Sequence, residues 1–155
     1  MYQEVTSLQC CPCPFCAIVR GEDAVVHEVA RNDKVVIIFP TEPAVLCHCM
    51  VIPCRHVEEF TALTADEVSA VMTSAQAVAM SLRETQHPDG INIIQSNGEA
   101  ATQTVPHVHV HIVPRWDGDA FGEIWPSKTD FSDEEKDRTL AKLRATTLLP
   151  YSSAT

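Results

Sequence analysis

Three histidines at alternate positions of one apolar run constrain the fold of this chain more than any other feature. The run reads PHVHVHIVPR and covers residues 106–115. Because side chains alternate between the two faces of a β-strand, a strand over residues 105–113 would place all three imidazoles on one face. The valines and isoleucine between them form an apolar face that suits a core. The histidines on the opposite face are His107, His109 and His111.

The rest of the pattern predicts an α+β domain with a five-stranded antiparallel sheet, one long helix and a short C-terminal helix. The long helix is predicted over residues 64–86, where Thr64 and Glu67 form a capping box before a stripe of apolar residues. The final helix is predicted to begin at Ser132, with Glu135 as its capping partner, and to end before Pro150. The other predicted strands cover residues 24–30, 34–39, 46–53 and 91–96.

The length of 155 residues fits one domain, here predicted over residues 10–150, with a flexible lead-in at 1–9 and a tail at 151–155. A net charge of −10 opposes broad binding to nucleic acid, which requires a positive surface. No stretch approaches the roughly 20 apolar residues of a membrane span, and residues 1–10 lack the pattern of a signal peptide. These observations predict a cytoplasmic protein without nucleic-acid or membrane partners.

Alternate histidines allow more than one chemistry. A single metal bound by all three is opposed by geometry, because residues two apart on a strand lie about 6.5 Å from each other. His107 and His109 could still share a metal, as in a zinc-dependent hydrolase. Alternatively, a neutral imidazole can attack an electrophilic phosphorus, provided that its other ring nitrogen carries the proton and is held by an acceptor.

The seven cysteines predict reduced thiols, some of them bound to a metal. Cys13 and Cys16 have the C-x-x-C spacing that presents two thiolates to one zinc, but Cys10 and Cys13 have it as well. Spacing alone does not choose between these pairs.

The segment NGEAATQTVPHVHVHIVPR, residues 97–115, resembles the signature of the histidine triad family of nucleotide hydrolases and transferases. The resemblance continues through FCAIVRGE (15–22), HCMVIPCRHV (48–57) and GDAFGEIW (118–125), so that it covers roughly residues 13–125. It implies the histidine-triad fold and a homodimer that pairs through the long helix and a central strand.

The resemblance also implies roles for individual residues. His109 would be the nucleophile that carries a nucleotidyl group, His111 would contact the α-phosphate and the leaving group, and the side chains of Gln103 and Thr104 would hydrogen-bond to one or the other. A purine nucleotide, most simply an adenylate, would be the group transferred. The residues expected around this nucleotide are Phe39, His48, Ser96 and Asn97.

The zinc-bearing branch of the family implies a structural zinc. Its ligands in this chain would be Cys13, Cys16, His56 and His107. A closed set of two cysteines and two histidines leaves no open coordination position, so this zinc would support the fold rather than the chemistry. The remaining cysteines are expected to be reduced; they are Cys10, Cys11, Cys47, Cys49 and Cys54.

Three departures from the family pattern affect substrate choice. Pro40 stands where the family has an acidic or amide residue for the ribose hydroxyls, and Glu42 is close enough to substitute. Cys47 and Thr102 stand where the family has glycines. The sequence therefore predicts cleavage at the α-phosphate of adenosine phosphoramidates or dinucleoside polyphosphates, without choosing between them. A nucleotide-binding scaffold without turnover and a zinc-dependent hydrolase are the alternatives.

Overall fold

A computed structural model describes residues 12–126 and 129–147 of the chain. The predicted lead-in at 1–9, Cys10, Cys11 and the predicted tail at 151–155 lie outside the described residues. The chain forms two compact units, one ending at Phe121 and one beginning at Gly122. The first unit contains the sheet and all of the residues proposed above for chemistry.

The sheet has five strands, and every neighbouring pair is antiparallel. Their order in space is β1-β2-β3-β5-β4, so that β3 and β5 lie side by side near the centre. This confirms the predicted α+β architecture. The strands are β1 (His27–Arg31), β2 (Val35–Phe39), β3 (Cys49–Pro53), β4 (Gly90–Gln95) and β5 (Val110–Arg115).

The described residues form three α-helices: α1 (Pro14–Arg20) and α2 (Ala65–Gln86) in the first unit, and α3 (Asp133–Thr146) in the second. The predicted capping boxes are present at both longer helices, where Thr64 pairs with Glu67 and Ser132 pairs with Glu135. Short 3-10 turns cover Phe60–Ala62 and Glu99–Ala101. No helix in the described ranges is long and apolar enough to cross a membrane.

The two faces of the sheet are covered by different helices. One face packs against α2 through residues such as Val51, Val110 and Ile112, which are fully buried. The other face packs against α1 through the alternate residues of the same strands, among them Met50 and Ile52. Alternation along β5 therefore directs the histidine side of the strand toward the face that α1 covers.

The structure differs from several predicted boundaries: strand β1 begins at His27 instead of residue 24, and three further differences bear on the site. Helix α1 lies where the sequence analysis predicted no helix. Strand β3 begins at Cys49 instead of residue 46, because Cys47 has a left-handed backbone with φ 68°. Strand β5 begins at Val110 instead of residue 105. Residues 105–109 make other backbone hydrogen bonds, including one from the N–H of Val108 to the carbonyl of Val57 at 2.6 Å.

Candidate active site and metal centre

The four residues expected to bind zinc lie together in the structure. Their ligand atoms all lie within 4.8 Å of one another. They come from three parts of the chain. Cys13 and Cys16 lie at the start of α1, His56 follows β3, and His107 precedes β5. Two of these parts are separated by more than 90 residues along the chain, and the fold alone brings them together.

The distances within this cluster fit a tetrahedral zinc. Zinc–sulfur bonds of about 2.3 Å and zinc–nitrogen bonds of about 2.0 Å place the ligand atoms of a tetrahedron about 3.3 to 3.8 Å apart. Cys13 Sγ lies 3.4 Å from His107 Nδ1, and Cys16 Sγ lies 3.3 Å from His56 Nδ1 and 3.7 Å from His107 Nδ1. The Nδ1 atoms of His56 and His107 are 3.3 Å apart. The residues present therefore suit the metal in number, type and spacing.

The ring of His107 is oriented from its far side. Its Nε2–H donates to the carbonyl of Pro53 at 2.9 Å, which leaves Nδ1 free of a proton and directed at the two cysteines. Such an outer hydrogen bond is the usual way in which a protein fixes the tautomer of a histidine that binds a metal. His107 is completely buried, so its ring has no solvent-facing role.

His109 is held in the opposite tautomer. Its Nδ1–H donates to the backbone carbonyl of His107 at 2.7 Å, so the neutral ring carries its lone pair on Nε2. The side chain is only 6 % exposed, and burial lowers its pKa despite the opposing effect of this hydrogen bond. The ring of Phe15, on α1, packs edge-on against it with centroids 5.0 Å apart.

His109 Nε2 remains accessible although the residue is nearly buried. Among the described residues, nothing forms a hydrogen bond with this atom. Every fully buried side-chain nitrogen or oxygen in those residues does have a partner. The atom therefore reaches solvent. His109 is neither sealed in the core nor a member of the metal cluster, which leaves it free to act as a nucleophile.

His111 and His48 form a hydrogen-bonded pair beside His109. The N–H of Ala44 donates to Nδ1 of His48 at 3.1 Å, so the neutral ring of His48 carries its proton on Nε2. That nitrogen lies 2.8 Å from Nδ1 of His111 and donates to it. His111 must then carry its own proton on Nε2. The rings of His109 and His111 are 4.9 Å apart.

Both members of this pair are uncharged near neutral pH. Burial lowers the pKa of His48, and the neighbouring His109 lowers it further. For His111, burial and the neighbouring His109 and His48 lower the pKa to about 4. A neutral histidine whose Nε2–H points away from its partner is a hydrogen-bond donor, not a base.

Gln103 joins two loops beside a small cavity. Its side-chain oxygen accepts from the N–H of Gly98 at 2.7 Å, and its side-chain nitrogen donates to the carbonyl of Glu58 at 2.8 Å. The cavity has a volume of about 210 Å³. Three carboxylates line it, and among the described residues no lysine or arginine does. The lining consists of Glu58, Glu59, Gly98, Glu99, Gln103, Thr104 and Pro106.

The other residues expected around a nucleotide make contacts within the protein. The side-chain oxygen of Asn97 accepts from the N–H of Phe60 at 3.0 Å and from Gln95 Nε2 at 2.9 Å, so it holds two loops together. Ser96 is half-buried at the end of β4. Phe39 packs against the core cluster beneath α2, on the face of the sheet opposite His111. This placement does not support a role for Phe39 in nucleotide binding.

The three departures from the family pattern also have structural consequences. Pro40 is buried, whereas Glu42 is exposed. Cys47 and Thr102 both have φ 68°, a left-handed backbone that residues other than glycine rarely adopt. Both positions therefore keep the conformation of a glycine while carrying a side chain. In the described ranges Cys13, Cys47, Cys49 and Cys54 are free thiols.

The sequence analysis missed two residues that bear on the site. Phe15 was only part of a motif, although it contacts both His107 and His109 with ring centroids 6.0 and 5.0 Å apart. Arg55, which precedes His56, was likewise only part of a motif. Its two hydrogen bonds to Glu67 are 2.6 and 2.7 Å long. No local pattern signals either contact, because each joins elements that are separate in sequence.

The fold and the site together define a class: small α+β domains in which one of several alternate histidines belongs to a cysteine–histidine cluster and the next lies outside it. The HIT domain model matches residues 23–118. The chain belongs to the HIT family, which confirms the resemblance seen in the sequence.

Known proteins similar to the chain agree with this assignment. A HIT-family protein from Bacillus subtilis has a crystal structure that superimposes with a TM-score of 0.79 at 27 % identity, over 90 % of this chain and 99 % of that one. A zinc-bound histidine triad family protein from Mycobacterium smegmatis has a TM-score of 0.66 and 33 % identity, over 88 % and 98 % of the two chains. A bifunctional bis(5'-adenosyl)-triphosphatase/adenylylsulfatase from Arabidopsis thaliana is 43 % identical over 77 residues, which are 50 % of this chain and 43 % of that protein.

Proposed function

We propose that this protein is a nucleotidyl hydrolase or transferase that cleaves adenosine compounds at the α-phosphate through a nucleotidyl–His109 intermediate. The observation that carries the proposal is the hydrogen bond from His109 Nδ1–H to the carbonyl of His107. It leaves an accessible lone pair on Nε2, which is the atom that must attack phosphorus. The choice of adenosine is supported by the two activities for which the Arabidopsis relative is named, bis(5'-adenosyl)-triphosphatase and adenylylsulfatase.

The reaction proceeds in two displacements. The lone pair of His109 Nε2 forms a bond to the α-phosphorus, and the bond from phosphorus to the leaving group breaks. The positive charge that develops on the imidazole is stabilised by the carbonyl of His107, which accepts from Nδ1–H. Water then attacks phosphorus and breaks the nitrogen–phosphorus bond. In the first displacement the departing atom takes a proton supplied through His111 or Thr104; in the second, the attacking water leaves its hydroxyl on phosphorus and its other proton restores that donor.

His111 assists as a donor. Because His48 occupies its Nδ1, its Nε2–H is available to a phosphate oxygen or to the leaving atom. A neutral donor of this kind stabilises charge that develops in the transition state. Gln103 and Thr104 are proposed to contact the leaving group. Ser96, Asn97 and His48 are proposed to lie around the ribose and phosphate.

We further propose a structural zinc on Cys13, Cys16, His56 and His107. The spacing of the four ligand atoms and the zinc-bound relative support it. A closed site of this kind supplies folding free energy rather than a reactive water. Here it would hold α1, and with it Phe15, against the segment that leads into β5. The set includes His107 but not His109, which opposes the alternative of a zinc-dependent hydrolase.

A homodimer is proposed as well. It is supported by apolar side chains exposed on α2 and on the edge strand β4, where a second copy would cover them: Met72, Met80 and Ile93 are 40 %, 58 % and 47 % exposed.

Replacing the nucleophile tests the mechanism. We expect His109→Ala to lose at least about 1,000-fold in turnover of an adenosine phosphoramidate, because no other group can form the covalent intermediate. Intact-mass spectrometry of the wild-type protein during turnover should show an adenylated species that the variant lacks. His27→Ala, at an exposed histidine on β1, is the matched control.

The proposal would be wrong if His109→Ala kept full activity with a normal melting curve. Binding of adenosine phosphates without any turnover by the wild-type protein would instead identify a nucleotide-binding scaffold, the alternative favoured by the buried Pro40.

The cavity beside Gln103 and Thr104 suggests which substrates are preferred. Three carboxylates repel an anionic leaving group and attract a cationic one. We therefore propose that phosphoramidates of amines, above all those that carry a second positive charge, are better substrates than dinucleoside polyphosphates.

Changing the charge of the cavity tests this preference. At low salt, the double variant Glu58→Gln, Glu99→Gln should lower kcat/KM for a diamine phosphoramidate of adenosine about threefold or more, because exposed charges have modest, screened effects. It should not change kcat/KM for the phosphoramidate of a neutral amine of equal length. Glu84→Gln, on the exposed surface of α2, is the control. Equal effects on both substrates, or faster wild-type turnover of diadenosine triphosphate than of either phosphoramidate, would refute the preference.

A further inference from the structure

The segment that carries the metal-binding His56 is held at every residue. This segment, residues 54–58, is called the ligand loop below. The N–H of Cys54 donates to the carbonyl of Lys34 at 2.7 Å. The carbonyl of Val57 accepts from Val108 at 2.6 Å, and the carbonyl of Glu58 accepts from Gln103 at 2.8 Å. The ligand loop therefore touches the metal centre through one side chain and the proposed catalytic segment through two carbonyls.

Arg55 makes the one side-chain attachment of this loop to α2 that is seen in the described residues. Its Nε and one of its terminal nitrogens donate to the two carboxylate oxygens of Glu67, at 2.6 and 2.7 Å. The same terminal nitrogen donates to the carbonyl of Ala62 at 3.2 Å. A two-point contact between a guanidinium and a carboxylate fixes direction as well as distance.

Glu67 is itself fixed. It accepts from the N–H and the hydroxyl of Thr64 in the capping box, at 2.8 and 3.0 Å. Its side chain is only 17 % exposed, whereas that of Arg55 is 52 % exposed. The hydrogen bonds from Arg55, followed by those from Thr64, hold the pKa of Glu67 at about 2, so the carboxylate is charged throughout the physiological range. The N-terminus of α2 is thus a fixed point, and the side chain of Arg55 connects the ligand loop to it.

We propose that Arg55 is a positioning residue of the metal centre, which anchors the ligand loop to the N-terminus of α2 and so holds His56 at bonding distance from the metal. The proposal rests on the structural zinc of the proposed function, but not on the reaction. Groups that orient metal ligands typically change metal affinity 10- to 100-fold when they are removed. Arg55 acts through the backbone and its side chain is 52 % exposed, so we expect an effect at or below the lower end of that range.

The test is the zinc affinity of the 155-residue chain, measured by competition with a chromophoric chelator. Arg55→Met, which keeps most of the aliphatic stem, should weaken zinc binding about three- to tenfold. Lys136→Met is the matched control, because Lys136 also makes a salt bridge to a first-turn carboxylate, at 2.9 Å to Asp133 of α3, and takes part in none of the hydrogen bonds described for the ligand loop. It should leave the zinc affinity unchanged.

A double-mutant cycle separates positioning from general stability. Glu67→Gln keeps a side chain that can complete the capping box but removes the charge that Arg55 meets. It should weaken zinc binding as Arg55→Met does, and the double variant should be no weaker than either single one. Arg55→Lys, a milder change, should lie between wild type and Arg55→Met, because an ammonium cannot make the two-point contact.

Denaturant unfolding with and without zinc supplies the decisive comparison. If Arg55 positions His56, the variant should lose more stability when zinc is bound than when it has been removed by a chelator. An equal loss in both states, or an unchanged zinc affinity, would overturn the proposal while leaving the proposed reaction intact. Failure of the wild-type chain to bind zinc would overturn both this proposal and the structural zinc.

Discussion

At the scale of single residues, the site depends on which nitrogen of each histidine carries the proton. His107 directs an unprotonated Nδ1 at the two cysteines, His109 keeps Nε2 unprotonated, and His111 keeps Nε2 protonated. The alternation in the sequence predicted that the three imidazoles lie on one face, but not which ring nitrogen of each histidine carries the proton. The tautomers of His107 and His111 are set by groups distant in sequence, the carbonyl of Pro53 and the Nε2–H of His48. That of His109 is set by the carbonyl of His107, two residues away.

Two residues stand out by their backbone rather than by their side chains. Cys47 and Thr102 occupy positions where the family has glycine, and both keep the left-handed conformation that glycine adopts freely. The sequence identified the departures. It could not show that the backbone would keep its path despite them, because that path is fixed by the surrounding loops. One such contact is the hydrogen bond from the N–H of Thr102 to the carbonyl of Glu99 at 2.9 Å.

Restoring glycine at Thr102 should stabilise the protein. A β-branched residue in the left-handed region costs about 1 to 2 kcal/mol, part of which is offset because glycine gains freedom in the unfolded chain. We expect Thr102→Gly to raise the free energy of unfolding by about 0.5 to 1 kcal/mol, measured by urea denaturation. Thr61→Gly, at a position with an ordinary negative φ, should lower it instead. A destabilised Thr102→Gly variant would show that the side chain of Thr102 makes contacts worth more than the strain.

At the scale of elements, the long periodic segments were predictable and the short ones were not. The helix at 64–86 and its capping box were predicted because 22 residues of α2 carry a consistent apolar stripe and a side-chain cap. Helix α1 has seven residues and no side-chain cap, so its signal was weak. Pro14 in its first turn and Gly21 at its end are typical of a short helix, but the cysteines around them are equally typical of a metal site.

Strand β5 illustrates a different limit. The alternation of residues 105–113 is that of a strand, and the side chains follow it in part, since Val110 and Ile112 face α2 while His111 faces away. The first half of the segment nevertheless leaves the sheet, because Val108 pairs with the ligand loop and His107 turns toward the cysteines. Local periodicity cannot reveal such long-range competition for backbone hydrogen bonds.

At the scale of the whole molecule, the cluster of buried neutral histidines makes stability depend on pH. The pKa of His48 and His111 is lower in the folded protein than in the unfolded chain. Above about pH 6.5 both states are unprotonated there and no penalty exists. As the pH falls below that value, the unfolded chain binds protons that the folded protein does not, so stability decreases. For His111 the decrease continues down to its folded pKa of about 4.

We therefore expect the free energy of unfolding to fall between pH 6.5 and pH 4.5 by up to about 3 kcal/mol. The measurement is urea denaturation of chelator-treated protein, so that loss of a metal does not contribute. In His111→Gln the slope over this range should be smaller. A stability that is constant or rises as the pH is lowered would contradict the prediction.

The acceptor that holds His109 is a peptide carbonyl, that of His107. No exchange of one side chain for another deletes it, so an alanine scan of the domain would never reveal its contribution. Only a change in the main chain, such as an ester in place of the amide that links His107 to Val108, would weaken it. The tautomer of the His109 ring is therefore set by the path of the backbone and not by a polar side chain.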